Sequence, residues 1–66
     1  MEETEFKGRV NEALGESSDY DRFCSLGEVA RDTSSSNMLP EIKAEKIKEV
    51  ESLQMGLVDG LARELK

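Results

Sequence analysis

The C-terminal stretch Pro40–Lys66 constrains the fold most, because it is the longest segment with a regular apolar pattern. At about 100° per residue, its aliphatic side chains fall within one half of a helix surface. Proline is tolerated in the first turn of a helix, so Pro40 suits the start. The pattern predicts one amphipathic helix over residues 40–65. Its aliphatic stripe consists of Ile42, Ile47, Val50, Leu53, Leu57, Val58, Leu61 and Leu65.

The stripe is not a strict heptad repeat. Gln54, Gly60 and Glu64 stand at positions where a coiled coil needs apolar residues. Packing inside a globular fold, or in the groove of a partner, therefore fits the stripe better than a long zipper. Gly56 and Gly60 leave a break in the helix open, which would make Leu57–Lys66 a separate docking piece.

Two shorter helices are predicted before this one. The first covers about residues 3–14, where apolar side chains recur at helical spacing and Gly15 stands at the C-cap position. The second covers about residues 19–31, after a run of good N-cap residues. Ser25 also fits the start of a capping box, so a continuous helix and a broken pair both stay open. The apolar residues are Phe6, Val10, Ala13 and Leu14 in the first helix, and Tyr20, Phe23, Cys24, Leu26, Val29 and Ala30 in the second.

A polar run, Asp32–Asn37, separates the second helix from the long one. Its composition predicts a flexible linker over residues 32–37, in which no side chain is expected to be buried. The sequence thus predicts an all-α fold: residues 1–66 form a single small helical domain of two short helices, a serine-rich linker and a long amphipathic helix.

Composition narrows the functional classes. The chain has 15 acidic and 9 basic residues, a net charge of −6, no histidine and one cysteine, Cys24. A negative surface repels nucleic acid and anionic membranes. An internal disulfide is excluded, and a zinc site lacks ligands. Cys24 is expected to be a small buried hydrophobe. We expect no catalytic residue, no cofactor and no metal, and the lack of a long apolar run favours a cytoplasmic protein.

Small helical chains without disulfide or metal commonly gain stability from a partner. The sequence therefore predicts a non-enzymatic, acidic protein that acts through helix-mediated protein–protein contacts, as a regulatory or adaptor subunit. Its partner would be another protein or a second copy of itself, as in a self-associating structural subunit. The predicted partner-binding residues are Ile47, Val50, Leu53, Leu57, Val58, Leu61 and Leu65.

One stretch resembles a DNA-binding motif. The run from Ser25 to Thr33 is similar to the first helix of the helix-turn-helix in MerR-type regulators and excisionases. That family continues with a glycine at the turn and a basic recognition helix, whereas this chain has Ser34 and Ser35 and then Pro40. A small helix-turn-helix DNA-binding module is therefore kept as an alternative.

A second resemblance covers about residues 25–66. Ser25-Leu26 with Ala30-Arg31-Asp32, then Glu45-Lys46-Ile47 with Val50, then Val58-Asp59 and Leu61-Ala62, are similar to elements of the flagellar anti-sigma factors (the FlgM-like family). The turn that precedes Val-Asp in that family is replaced here by residues 54–57. The resemblance implies a cytoplasmic inhibitor whose helices wrap a sigma factor, with the region before Ser25 mobile when free.

Overall fold

A computed structural model describes residues 2–64 of the chain, without the side chain of Glu64. This part contains three helices and no strand: α1 (Glu3–Leu14), α2 (Asp19–Ser34) and α3 (Pro40–Glu64). The predicted all-α class is confirmed. None of the helices in the described part is long and apolar enough to cross a membrane.

Helix α2 lies between the other two helices and packs against both. Arg22 Nε, near the start of α2, donates to the Leu14 carbonyl at the end of α1 at 3.2 Å. On the other side, Gln54 Nε2 donates to the Phe23 carbonyl and Lys43 Nζ to the Ser34 carbonyl, each at 3.1 Å. The start of α2 thus meets the C-terminal half of α3, and its end meets the start of α3. The two helices are therefore antiparallel along the full length of α2.

The starts of α2 and α3 carry the residue types that the sequence chemistry suggests. Ser18 Oγ accepts a hydrogen bond from the Asp21 amide at 3.1 Å, which satisfies one of the free amides of the first turn. Pro40 occupies the first turn of α3. Helix α2 runs through Ser25 without a break, so the continuous alternative is the one observed.

Helix α2 continues three residues beyond its predicted end at residue 31, and the connection to α3 covers residues 35–39 rather than 32–37. The expectation that no side chain of the linker would be buried is wrong for Thr33, which is fully buried. Its hydroxyl donates to the Val29 carbonyl at 2.7 Å. Because this bond satisfies the polar atom within the helix, the Thr33 methyl group can enter the interior without an orphaned donor.

The core draws on all three helices. It consists of buried side chains with partly buried neighbours that extend it along α3 and into the connection. The buried members are Phe6, Ala13, Leu26, Val29 and Val50, and the neighbours are Val10, Ala30, Met38, Leu53 and Leu57.

Helix α3 is continuous through both of its interior glycines, so the break left open above does not occur. The two positions differ in their surroundings. A β-carbon at Gly56 would have no atom within 4 Å, whereas one at Gly60 would overlap the carboxylate of Asp19. Gly60 is therefore a site of close helix packing, where α3 passes the start of α2.

This difference predicts that glycine-to-alanine substitutions at the two positions change the free energy of unfolding by different amounts. Gly56→Ala should raise the free energy of unfolding by about 0.5–1 kcal/mol, because alanine is the better helix former. Gly60→Ala gains the same propensity but must displace the Asp19 carboxylate, which holds Arg22 at 2.6 Å. The Asp19 side chain can turn aside, but this disturbs its ion pair with Arg22, so Gly60→Ala should stabilise the fold less than Gly56→Ala. Urea denaturation measures both, and equal stabilisation would contradict the close approach of α2 at Gly60.

Candidate functional site

The structure divides the predicted partner-binding residues between interior and surface. Val50 is 0% exposed, and Leu53 and Leu57 pack against the core. Val50 is therefore inaccessible to a partner in this packing, because it belongs to the core that α3 shares with the other two helices, and the binding role of the set stays a prediction. Ile47 and Leu61 are partly buried at the edges of the stripe. Val58 is 46% exposed, and Leu65 lies outside the described residues.

Val58, at the exposed edge of the stripe, lines a groove between α2 and α3 together with residues outside the stripe. The groove has a volume of about 290 Å³. Its most accessible apolar side chain is Met55, which is 73% exposed. We call this feature the α2–α3 groove and define it by Phe23, Glu51, Gln54, Met55 and Val58.

Gln54 joins the two walls of the groove. Its amide nitrogen donates to the Phe23 carbonyl at 3.1 Å across the helix pair. A β-carbon at Gly27 would come within 3.4 Å of the same nitrogen, so the absence of a side chain at Gly27 leaves room for the amide. The polar group of Gln54 is thereby engaged within the protein, and the apolar side chains beside it remain available.

Tyr20 and Cys24 lie one helical turn apart on α2, on either side of Phe23 in the sequence, and both are exposed. A hydrogen bond with Cys24 raises the pKa of Tyr20 above its ordinary value. The expectation that Cys24 would be buried is wrong. Leu26, two residues later, points into the core, and two residues on a helix differ by about 200°, which turns Cys24 outwards.

The charge at the α2–α3 groove is negative. Among the described residues that line it, Glu51 is the one with a charged side chain. Asp59, one turn beyond Met55, is also exposed. Within residues 2–64 neither carboxylate forms an ion pair. Arg22, beside Phe23 in the sequence, binds Asp19 and the Leu14 carbonyl, on the side of α2 that faces the end of α1.

The best-shielded basic residue has a different, structural role. Lys46 on α3 has a side chain only 13% exposed, with Nζ 3.1 Å from Glu3 Oε1 and 5.3 Å from the centre of the Phe6 ring. The hydrogen bond and charge of Lys46 hold the pKa of Glu3 below its ordinary value. Lys46 thus fastens the start of α1 to α3 and is not free to bind a ligand.

Across residues 2–64 no group of three or more ligand-type side chains is placed to hold a metal ion. The α2–α3 groove combines apolar surface, an engaged amide and one free carboxylate. Such a surface suits contact with another macromolecule.

Two geometric observations concern the sequence resemblances. Helices α2 and α3 pack antiparallel, whereas the helices of a helix-turn-helix cross at roughly 90–120°. Residues 54–57, at the position of the turn in flagellar anti-sigma factors, are helical. Comparisons of the chain with known protein families, with curated proteins and with solved structures find no match.

Proposed function

We propose that this protein is a non-enzymatic, cytoplasmic regulatory or adaptor subunit, and that its α2–α3 groove binds a helix of a partner protein. The observation that carries the proposal is the exposure of Met55 and Val58 beside Phe23, on a chain whose core is already formed by other residues. Methionine adapts its shape to a partner and is enriched at interfaces. Exposed apolar side chains that are grouped in a groove are typical of binding sites, whereas scattered ones are not.

The dimensions of the groove suit a helix. Glu51 and Val58 are seven residues apart on α3, which corresponds to about 10 Å, or two turns. A partner helix in such a groove contributes apolar anchors at i, i+3 or i+4, and i+7. Both walls are helices that pack on the same core, so little ordering is required on this side of the interface.

Site-specific photocrosslinking tests the proposal. A photoreactive amino acid at Met55 is expected to form an adduct with one other protein in cells that express the chain. The same amino acid at Glu45, exposed on the outer face of α3, is the matched control and should not form that adduct. Adding Val58→Asp should remove the adduct at Met55, since a carboxylate in the apolar wall opposes docking.

Val58 is a better choice for this test than Leu57, which packs against the core, so that Leu57→Asp would also destabilise the fold. The same adducts from both positions would contradict the proposal. So would the absence of any adduct at Met55.

The narrower alternatives stay predictions. An anti-sigma-type inhibitor is the special case in which the cross-linked partner is a sigma factor, and the identity of the adduct decides it. A DNA-binding module predicts retention on duplex DNA at low salt. A self-associating subunit predicts that the adduct is a dimer of this chain.

A further inference from the structure

Resting on the proposed function, we infer that the α2–α3 groove selects a cationic amphipathic helix. Its partner would place apolar side chains against Phe23, Met55 and Val58, and lysine or arginine residues along the edge that faces Glu51 and Asp59. The apolar groove alone does not determine the charge of the partner helix, whereas the acidic side chains beside it favour a positive one.

The first step is the position of the free carboxylates. Met55, the most exposed apolar side chain, is flanked on α3 by Glu51 four residues before it and Asp59 four residues after it. Residues four apart on a helix are neighbours on its surface. Met55 thus lies on the surface of α3 between two acids, Glu51 in the lining of the groove and Asp59 beyond it, and neither has an ion-pair partner within residues 2–64.

The second step is the consequence of docking. A helix seated on Met55 and Val58 removes part of the water around Glu51, and a carboxylate that loses water without gaining a partner is costly. A lysine or arginine at the edge of the docked helix supplies that partner. An acidic helix would instead add like-charge repulsion, which discriminates against it.

The third step concerns a second copy of the chain. A two-fold dimer through this groove would bring the two copies of the groove, each lined by Glu51, into one interface between molecules that each carry a net charge of −6. Charge therefore opposes a second copy as the occupant.

Two synthetic peptides of about four helical turns serve as probes. They share one leucine face, and their polar faces carry only lysine or only glutamate. A third peptide has the same amino-acid composition as the lysine peptide, but its leucines are distributed around the helix and form no apolar face. Binding to the 66-residue chain is followed by amide chemical shifts and by an environment-sensitive dye on Cys24, the single cysteine of this sequence, which is exposed and adjacent to Phe23.

We expect the lysine peptide to shift the amides around Phe23, Met55 and Val58 and to bind at least about tenfold more tightly than the glutamate peptide. Glu51→Lys should weaken binding of the lysine peptide by about fivefold or more. Glu45→Lys, which changes the net charge by the same amount on the outer face of α3, should have a much smaller effect at physiological salt.

The remaining outcomes separate the inference from the proposed function. Equal binding of the lysine and glutamate peptides in the groove would overturn the charge selection and leave the groove as a protein-binding site. If neither peptide shifts the amides at the groove, both the charge selection and the proposed protein-binding role of the groove are overturned. If Glu51→Lys and Glu45→Lys weaken binding of the lysine peptide equally, the attraction depends on net charge alone and the inference is overturned. The same follows if the peptide with dispersed leucines binds as tightly as the lysine peptide with one leucine face. The protein is also tested without peptide. If it dimerises and Val58→Asp abolishes the dimer, a second copy occupies the groove and the inference is overturned.

Discussion

Replacing Leu26 by alanine is expected to lower the free energy of unfolding by about 2–5 kcal/mol. Leu26 is 0% exposed and lies on α2, the helix that packs against both others. Alanine would leave a cavity where the three helices meet. A domain of this size has only about 3–5 kcal/mol of stability from its core, so the variant should be largely unfolded at 25 °C. Urea denaturation followed by circular dichroism measures the loss.

Leu39 provides a control with the same chemical change. It lies in the connection before α3 and is 66% exposed. Leu39→Ala should alter the free energy of unfolding by no more than about 0.5 kcal/mol. Similar losses at the two positions would contradict a core centred on α2.

Phe6→Ala should cost about 3–5 kcal/mol and should release α1 before the other two helices. Phe6 is the large buried side chain of α1, and its ring lies under the ammonium group of Lys46 on α3. Its removal takes away both the apolar anchor of α1 and the surface that the Lys46 stem covers. Because a loss of this size approaches the total stability, hydrogen exchange is measured in a stabilising osmolyte, where amides of α1 should lose protection while those of the α2–α3 pair retain more.

The matched variant is Phe6→Leu, which keeps an apolar side chain of similar reach and should cost clearly less. Unchanged protection of α1 in Phe6→Ala would show that other contacts hold this helix. A loss that is uniform across all three helices would show that α1 and the α2–α3 pair unfold as one unit.

The number and order of the helices could be predicted because these depend on local patterns. The apolar spacing of α1, the serine before α2 and the proline at the start of α3 act within a few residues of the chain. The end of α2 could not be predicted in this way. Thr33 looks like a linker residue, and only its bond to the Val29 carbonyl allows it to be buried.

The sequence could not predict which residues of the aliphatic stripe are buried and which remain exposed. Periodicity marks which side of a helix is apolar, but it does not show which sector another helix covers. Helix α2 covers Val50 and leaves Met55, a residue outside the predicted stripe, at the surface. Gly60 is a similar case: a glycine within a helix suggests weakness, and its reason, the nearby Asp19 carboxylate, comes from a residue 41 positions earlier.

The central claim is that α2 covers the centre of the aliphatic stripe and leaves the α2–α3 groove exposed. Methyl relaxation in the presence of a soluble paramagnetic chelate tests it most directly, because the enhancement depends on the distance of each methyl group from solvent. We predict strong enhancement at Met55, intermediate enhancement at Val58 and little at Val50 and Leu26. Enhancement at Val50 as large as at Met55 would show that the stripe is open to solvent, and would contradict the account.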